Sequence, residues 1–431
     1  MSFMKNSIFF APIFRRFLGL LLLASLSLPA ANAPAPGTGG PVVVITYNDA
    51  NRINITVASS NPKIAQLMQN AFALHGAFQT TAAVPLQYVL HFEPSGDNHI
   101  TATIEPKSGS VSSYKVEVTA VSLTEAAYRA GDKVVEQLTN IPGFFAGKLA
   151  FVSERPIPGT TAAARSTARE IYVSDLLGQQ VTRLTGDGKI SALPRWSPDG
   201  TKLLYTGYYR AGFPDVILLD VATQKRTAFA TYKGTNTGGT FSPDGKSVAM
   251  ILSTTDGFTE LYVSDSAGGN IRRLTHDNAA KAPVSKASPT WSPDSQRIAI
   301  AADYVGGHPL IFQIPAAGGT ARALPTNISN YCADPAWNPR DPNKLAFMAE
   351  MGTQMFIAVY DFSKKTDPVT VYNEAAGSAP CWLNDGRHLL FTRRVGGMDQ
   401  LFILDTAPAK APKVVQLTHL GASEASWVYV K

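Results

Sequence analysis

PRWSPDG, residues 194–200, sets a rigid turn between an apolar run ending at Trp196 and another beginning after Lys202. Pro198 fixes φ near the value a type I turn needs at its second position, and Ser197 and Asp199 are able to bond nearby backbone groups. Gly200 tolerates positive φ, so the stretch predicts a β-hairpin closed by a glycine bulge. One such turn says little, because any β protein contains them. This one returns as GTFSPDGK at 239–246 and PTWSPDSQ at 289–296.

Aligned on the aromatic residue, the repeat runs through Trp196, Phe241, Trp291, Trp337, Trp382 and Trp427, at spacings of 45, 50, 46, 45 and 45 residues. An apolar strand follows each of the first five: KLLYT at 202, KSVAM at 246, QRIAI at 296, NKLAF at 343 and RHLLF at 387. A further strand comes next, at 171, 216, 261, 311, 356 and 401, and Asp closes five of these six (Asp175, Asp220, Asp265, Asp361, Asp405). The last strand ends in VTRLT at 181, IRRLT at 271 and VVQLT at 414. Four short strands in about 45 residues is the size of one propeller blade. The count predicts a mostly β fold, a six-bladed β-propeller in which SPDG joins the innermost and second strands. The aromatic is expected to wedge between neighbouring blades. Blade four departs from the repeat with NPRDPN at 338–343, and blade five with LNDGR at 383–387.

The ends of the array are mismatched in a useful way. GKLAF at 147 has no aromatic turn before it, and Trp427 has no strand after it. SWVYVK at 426–431 is therefore expected to supply the inner strand that the GKLAF unit lacks. Closure by the N- and C-terminal strands would remove the open edges that invite aggregation.

Bulk properties agree with this reading. At 431 residues the chain exceeds one ordinary core, and its 34 Gly and 29 Pro favour a turn-rich β fold. Lys5, Arg15 and Arg16, then FLGLLLLASLSL at 17–28 and Ala31-Asn32-Ala33, form a signal-peptide pattern over residues 1–33. Twelve apolar residues are too few to cross a hydrocarbon core of ~30 Å, and no Cys follows for lipid attachment. An exported chain that is not membrane-embedded, starting near Pro34, is expected in the periplasm. The formal charge of +6 includes three leader cations, and the remaining +3 gives no argument for a nucleic-acid partner. Cys332 and Cys381 are expected as free thiols rather than a bridge.

Residues 34–40 read as a flexible leader, and 41–145 as a separate small α/β domain ahead of the propeller at 146–431. VVVITY (42–47), INITVA (53–58), LQYVLHFE, HITATIE and SYKVEVT read as strands. Asn61-Pro62 opens a helix with Ile64, Leu67, Ala71 and Leu74 at helical spacing. Ser122 and Glu125 form a capping box for a second helix.

The sequence offers little chemistry. The histidines at 75, 91, 99, 276, 308, 388 and 419 follow no metal-ligand spacing and read as surface or turn residues. No Gly-x-Ser-x-Gly elbow is present, so neither an enzyme nor a cofactor is expected. Three residues before each aromatic stand Leu193, Gly238, Ser288, Asp334, Ala379 and Glu424, a ring at the propeller mouth. Asp334 and Glu424 are suited to a cation or a basic partner side chain, although two solvated loop carboxylates is the plainer reading. Tyr208, Tyr209, Arg210, Phe213, Arg393 and Arg394 fall on the same face. They are residue types enriched at protein interfaces, and ordinary loop packing explains Tyr208 to Phe213 equally well.

The exported α/β domain, the junction LTNIPGFFAGKLAFVSE (138–154) and six WSPDG-type blades together resemble the TolB family. The repeat alone is shared with prolyl-oligopeptidase-like propellers, and the junction is the more discriminating part. The resemblance implies a non-enzymatic, monomeric periplasmic adaptor of the Tol-Pal system. Its propeller mouth would bind the OmpA-like domain of a Pal-like lipoprotein, and its N-terminal region a TolA-like inner-membrane protein, in support of outer-membrane integrity and cell division. Family contacts to Pal correspond here to Thr235, Gly238, Ala287 and Ser288. Where such proteins often carry His and an acidic residue, this chain has neither. The alternatives are an exported propeller lyase or hydrolase with a channel metal, and a carbohydrate-binding propeller on the cell wall.

Overall fold

Six four-stranded antiparallel sheets succeed one another along the chain, and the first strand of each carries the repeat aromatic. A computed structural model describes residues 52–80, 85–107, 114–154, 168–210, 213–253, 258–276, 284–304, 307–326, 328–407 and 412–430. The signal-peptide pattern, the leader and the expected strand at 42–47 lie outside them. Blades one to five have inner strands Ser191–Trp196, Asn236–Phe241, Lys286–Trp291, Cys332–Trp337 and Ser378–Trp382. Each pairs with the strand that follows its turn.

The turn is held from inside. Ser197 Oγ donates to Asp199 Oδ1 (2.6 Å) and accepts from the Lys202 N–H (2.9 Å), while Gly200 sits at φ +69°. The same Ser–Asp arrangement returns at Ser242 with Asp244 and at Ser292 with Asp294. In blade four Asn338 Oδ1 does the work of the serine, accepting from the N–H groups of Arg340 and Asp341. The aromatics wedge as expected. Trp291 packs in a core shared with Ile251 of blade two, and its Nε1 donates to Thr240 O (3.1 Å). Trp382 repeats the contact on Ala336 O (3.0 Å).

The remaining motifs are local staples. Thr185, Thr275 and Thr418, the threonines of the three LT endings, each accept a backbone N–H of the third strand. Each also donates to a side chain of that strand: Glu170, Glu260 and Gln400. The strand-closing aspartates accept from turn amides, for example Asp220 from Thr223 N (2.9 Å) and Asp361 from Ser363 N (2.9 Å).

The ring is closed by both ends of the array. Ser423–Val428 pairs antiparallel with Lys148–Ser153, and Trp427 lies opposite Leu149. The inner strand starts three residues earlier than SWVYVK suggests. Gly147 is fixed by this clasp, since a Cβ there would stand 2.0 Å from the Trp427 ring.

Ahead of the ring lies a five-stranded sheet of order β2-β1-β3-β4-β5. Its strands are β1 (Ile53–Ala58), β2 (Phe78–Gln79), β3 (Tyr88–Pro94), β4 (His99–Pro106) and β5 (Tyr114–Thr119). The sequence reading lacks β2, because two residues carry no periodicity. Helices α1 (Pro62–Leu74) and α2 (Leu123–Thr139) share one buried core with alternate strand residues such as Leu90, Phe92, Ile100 and Ala102. Asn61 caps α1 by accepting from Lys63 N and Ile64 N. Ser122 caps α2, but only half of the expected box forms: Glu125 turns to Arg129 (2.9 Å). Each fully buried Leu or Phe contributes about 2 kcal/mol, and this core continues into Leu149, Leu383 and Leu401 of blades five and six.

That continuity fixes which face stays open. Arg129 donates to Val430 O (3.2 Å), Tyr429 Oη to Asp132 (2.9 Å) and Asn384 Nδ2 to Gly143 O (2.8 Å). All three contacts fall on the SPDG-turn side of blades five and six. The mouth is on the other side.

Candidate functional site at the propeller mouth

The six residues three before the aromatic share one backbone state. Leu193, Gly238, Ser288, Asp334, Ala379 and Glu424 have φ of 52°, 65°, 51°, 48°, 51° and 54°. Every inner strand shifts register at that point, so each carries a bulge. Five of the six are not glycine, and left-handed backbone costs an L residue about 1 kcal/mol. Such strain persists only where neighbours over-determine it.

The neighbours are side chains of the preceding blade. Gly238 N–H donates to Thr206 Oγ1 (3.2 Å), Glu424 N–H to Thr392 Oγ1 (3.2 Å), and Leu193 N–H to Glu424 Oε2 (2.6 Å). The Ala379 N–H donates to the Asp334 carboxylate. Ser288 Oγ adds a bond to Asp334 Oδ1 (2.8 Å). The mouth is thus sewn blade to blade around its rim. A sequence signal for it exists: Pro194, Pro289, Pro335 and Pro380 follow four of the six residues. Proline cannot donate to a ladder and is confined to edges and bulges.

Asp334 and Glu424 therefore stand inside strands rather than on solvated loops. Glu424 is only 7% exposed and also accepts from the Arg169 guanidinium (2.9 Å), whose charge it holds in place. Burial pushes the Asp334 carboxyl up, with the Ser288 bond opposing. Arg195 reaches its field from across the channel. The two carboxylates have protein partners already.

The other expected residues divide sharply. Thr235 borders its inner strand and donates its N–H to Ser253 Oγ (2.6 Å), while Ala287 lies within its inner strand, pairing with Ala301. Tyr208 is half-buried beside Glu424. Tyr209 Oη bonds Tyr205 Oη (2.8 Å). Arg210 forks onto Asp215, and Arg393 donates to Ala376 O (2.8 Å) and Glu374 O while stacking 4.7 Å over Phe402. Arg394 is exposed near Asp399 (3.4 Å). Phe213 is 49% exposed.

Phe213 belongs to a larger set that the sequence reading did not assemble. Tyr232, Tyr304, Met351, Val395, Met398 and Leu420 are also exposed. All seven lie at the hairpin that joins the second and third strands of a blade, as strand ends or in its loop, or before an inner strand, hence at the mouth end. Of the other exposed large apolar residues described, Val181 and Ile271 fall on the opposite side of the ring, and Leu86 and Val121 belong to the α/β domain.

Away from the mouth, His75 and His388 correct the reading of the histidines as surface or turn residues. Both are fully buried where α1 meets blade five. With Asp385 they bring metal-capable atoms within 4.8 Å of one another. Hydrogen bonding already accounts for the ring nitrogens of His388, however: Nδ1–H faces Asp385 Oδ2 (2.5 Å) and Nε2 accepts from the Gly76 N–H (3.2 Å). Cys332 and Cys381 are free thiols.

A family model described as the TolB beta propeller domain matches residues 135–430. The chain belongs to this family. Among curated relatives, the Tol-Pal system protein TolB of Bordetella pertussis is 30% identical over 50% of this chain and 45% of its own length. That of Alcanivorax borkumensis is 30% identical over 31% and 29%. The chain thus matches less than half the length of these TolB relatives. The crystal structure of TolB from Acinetobacter baumannii superposes with a TM-score of 0.75 at 20% identity, over 90% of this chain and 99% of that one. At that identity the superposition speaks for the shared fold. Among the described residues no helix is long and apolar enough to cross a membrane.

Proposed function

We propose that this chain is a non-enzymatic periplasmic adaptor of the Tol-Pal type, with an α/β domain over 41–145 and the propeller over 146–431. Its mouth docks a Pal-like lipoprotein of the OmpA family, and its N-terminal region a TolA-like inner-membrane protein, supporting outer-membrane integrity and cell division. The observation that carries the reading is the gathering of Phe213, Tyr232, Tyr304, Met351, Val395, Met398 and Leu420 on one face of the ring. Aromatic residues and methionine are what protein interfaces concentrate. Channel chemistry has weak support, because Asp334 and Glu424 are spent on the rim.

The test is titration of the purified chain with the OmpA-like domain of a Pal-like lipoprotein by calorimetry. Phe213→Asp combined with Met398→Asp should weaken binding at least tenfold, the equivalent of about 1.4 kcal/mol, without disturbing the fold. Affinity unchanged by that pair removes the mouth from the proposal. Arg210 and Arg393 are poor probes because they also brace their own hairpins.

A further inference from the structure

The junction between α1 and blade five is a closed polar seam that no partner contact explains. Two consecutive backbone N–H groups point into it, and each is taken by a neutral imidazole. Gly76 N–H donates to His388 Nε2 (3.2 Å), and Ala77 N–H to His75 Nδ1 (3.2 Å). The two rings lie 4.5 Å apart, and His75 stacks on Phe144 at 5.5 Å. A proton added to either acceptor nitrogen would meet a backbone N–H head-on, and the bond holding that stretch of chain would be lost.

The surroundings oppose an added charge. From blade five come Arg387, forked onto Asp405 (2.7 and 2.6 Å), Lys413, donating to His75 O (3.5 Å), and Asp385 on His388. Asp405 stands 4.0 Å from His388 Nε2. From the α/β side comes Arg52, buried and close enough to act on Lys413. Three cations face two carboxylates, so the seam is already positive with both rings neutral. No space is available to relax it: a Cβ on Gly76 would stand 1.6 Å from Asp405 Oδ2.

We propose that this seam is an acid-operated latch, in which protonation of His75 releases the His75–Ala77 segment from blade five and loosens the α/β domain on the propeller. Burial above all, with the charges of Arg387 and Lys413 adding to it, holds His75 well below the ordinary imidazole range. A released His75 would regain a pKa of about 6.5. The loosened state then binds one more proton, at His75, so docking is complete above about pH 6.5 and weakens as pH falls, by up to tenfold per pH unit. Lys413, brought down to about 8 by burial and Arg52, also favours docking as pH rises, but only above that value. Asp405, held low in spite of its burial by Arg387, matters only below about pH 4. Between pH 7.5 and 5 one other facing group titrates: Asp132 of α2, brought up to about 7 by burial, accepts from the Phe145 and Ala146 N–H groups, and its protonation acts in the opposite sense, favouring docking as pH falls.

Hydrogen exchange on the full chain, corrected for intrinsic rates, reads the latch at the amides of Gly76 and Ala77, which bond imidazole nitrogens and not Asp132. Protection there should fall tenfold or more between pH 7 and 5, while blades one to three stay constant. The variant His75→Gln should give a flat profile. Constant protection of Gly76 and Ala77 in the parent chain, or an undiminished slope in the variant, overturns the proposal. If the variant does not fold, imidazole titration by NMR decides: His75 protonating near pH 6.5 with Gly76 and Ala77 still protected is equally fatal.

Discussion

Glu424 shows how much one side chain does at the mouth. It joins Arg169 of its own blade to the Leu193 amide of the next, in a site that solvent barely reaches. Glu424→Ala takes the buried charge partner from the Arg169 guanidinium, which keeps Ser423 Oγ (3.1 Å), and leaves the Leu193 amide without an acceptor; it should cost about 3 kcal/mol, read from denaturant midpoints. Glu424→Gln should recover part of that, because the acceptor oxygen remains. Gly147 tests the clasp in the same way. Gly147→Ala drives a methyl into the Trp427 indole and should cost about 2 kcal/mol, measured by thermal unfolding. Position 424 was legible as a ring member from its place before Trp427, but its purpose was not. Spacing gives no account of Arg169, which lies 255 residues away.

The turn between inner and second strand is the element that best separates repeat from adaptation. In blade two the buried Ser242 holds a turn whose Pro243 and Asp244 are exposed, by hydrogen bonds to Asp244 and the Ser247 N–H, and Ser242→Ala should cost about 1 kcal/mol. In blade five the corresponding residue is Leu383, fully buried in the core shared with Phe144 and Phe145. Asp385 keeps its place in that turn but takes His388 Nδ1 as the partner the missing serine would have been. Leu383→Ser, which restores the repeat on paper, should therefore destabilise by about 3 kcal/mol. Equal effects of the two substitutions in denaturant titrations would contradict this account. LNDGR is not a weakened repeat. It is a repeat whose turn was moved from water into an interface, a change of solvent that no single-sequence pattern displays.

At the scale of the whole molecule, the ring depends on its last strand. Removing residues 423–431 leaves Lys148–Ser153 as an open edge and exposes the core around Leu149. The truncated chain should lose cooperative unfolding and self-associate, which light scattering beside calorimetry would detect; a monomer with an unchanged transition would argue against the clasp. The same closure makes the ring rigid enough to present apolar loops on one side while its other side carries the α/β domain.

The blade count, the clasp, the turn positions and both helices could be read from the chain, because each follows from short-range periodicity, proline and glycine placement, or caps. What required the tertiary structure was the chemistry of meeting surfaces. The sewn rim, the apolar set on the mouth loops and the seam at His75 and His388 each join residues from separate blades or from opposite ends of the chain. Local pattern fixes how a segment bends and which side it buries, but the partner of a buried polar group is decided only when distant segments close around it and exclude water.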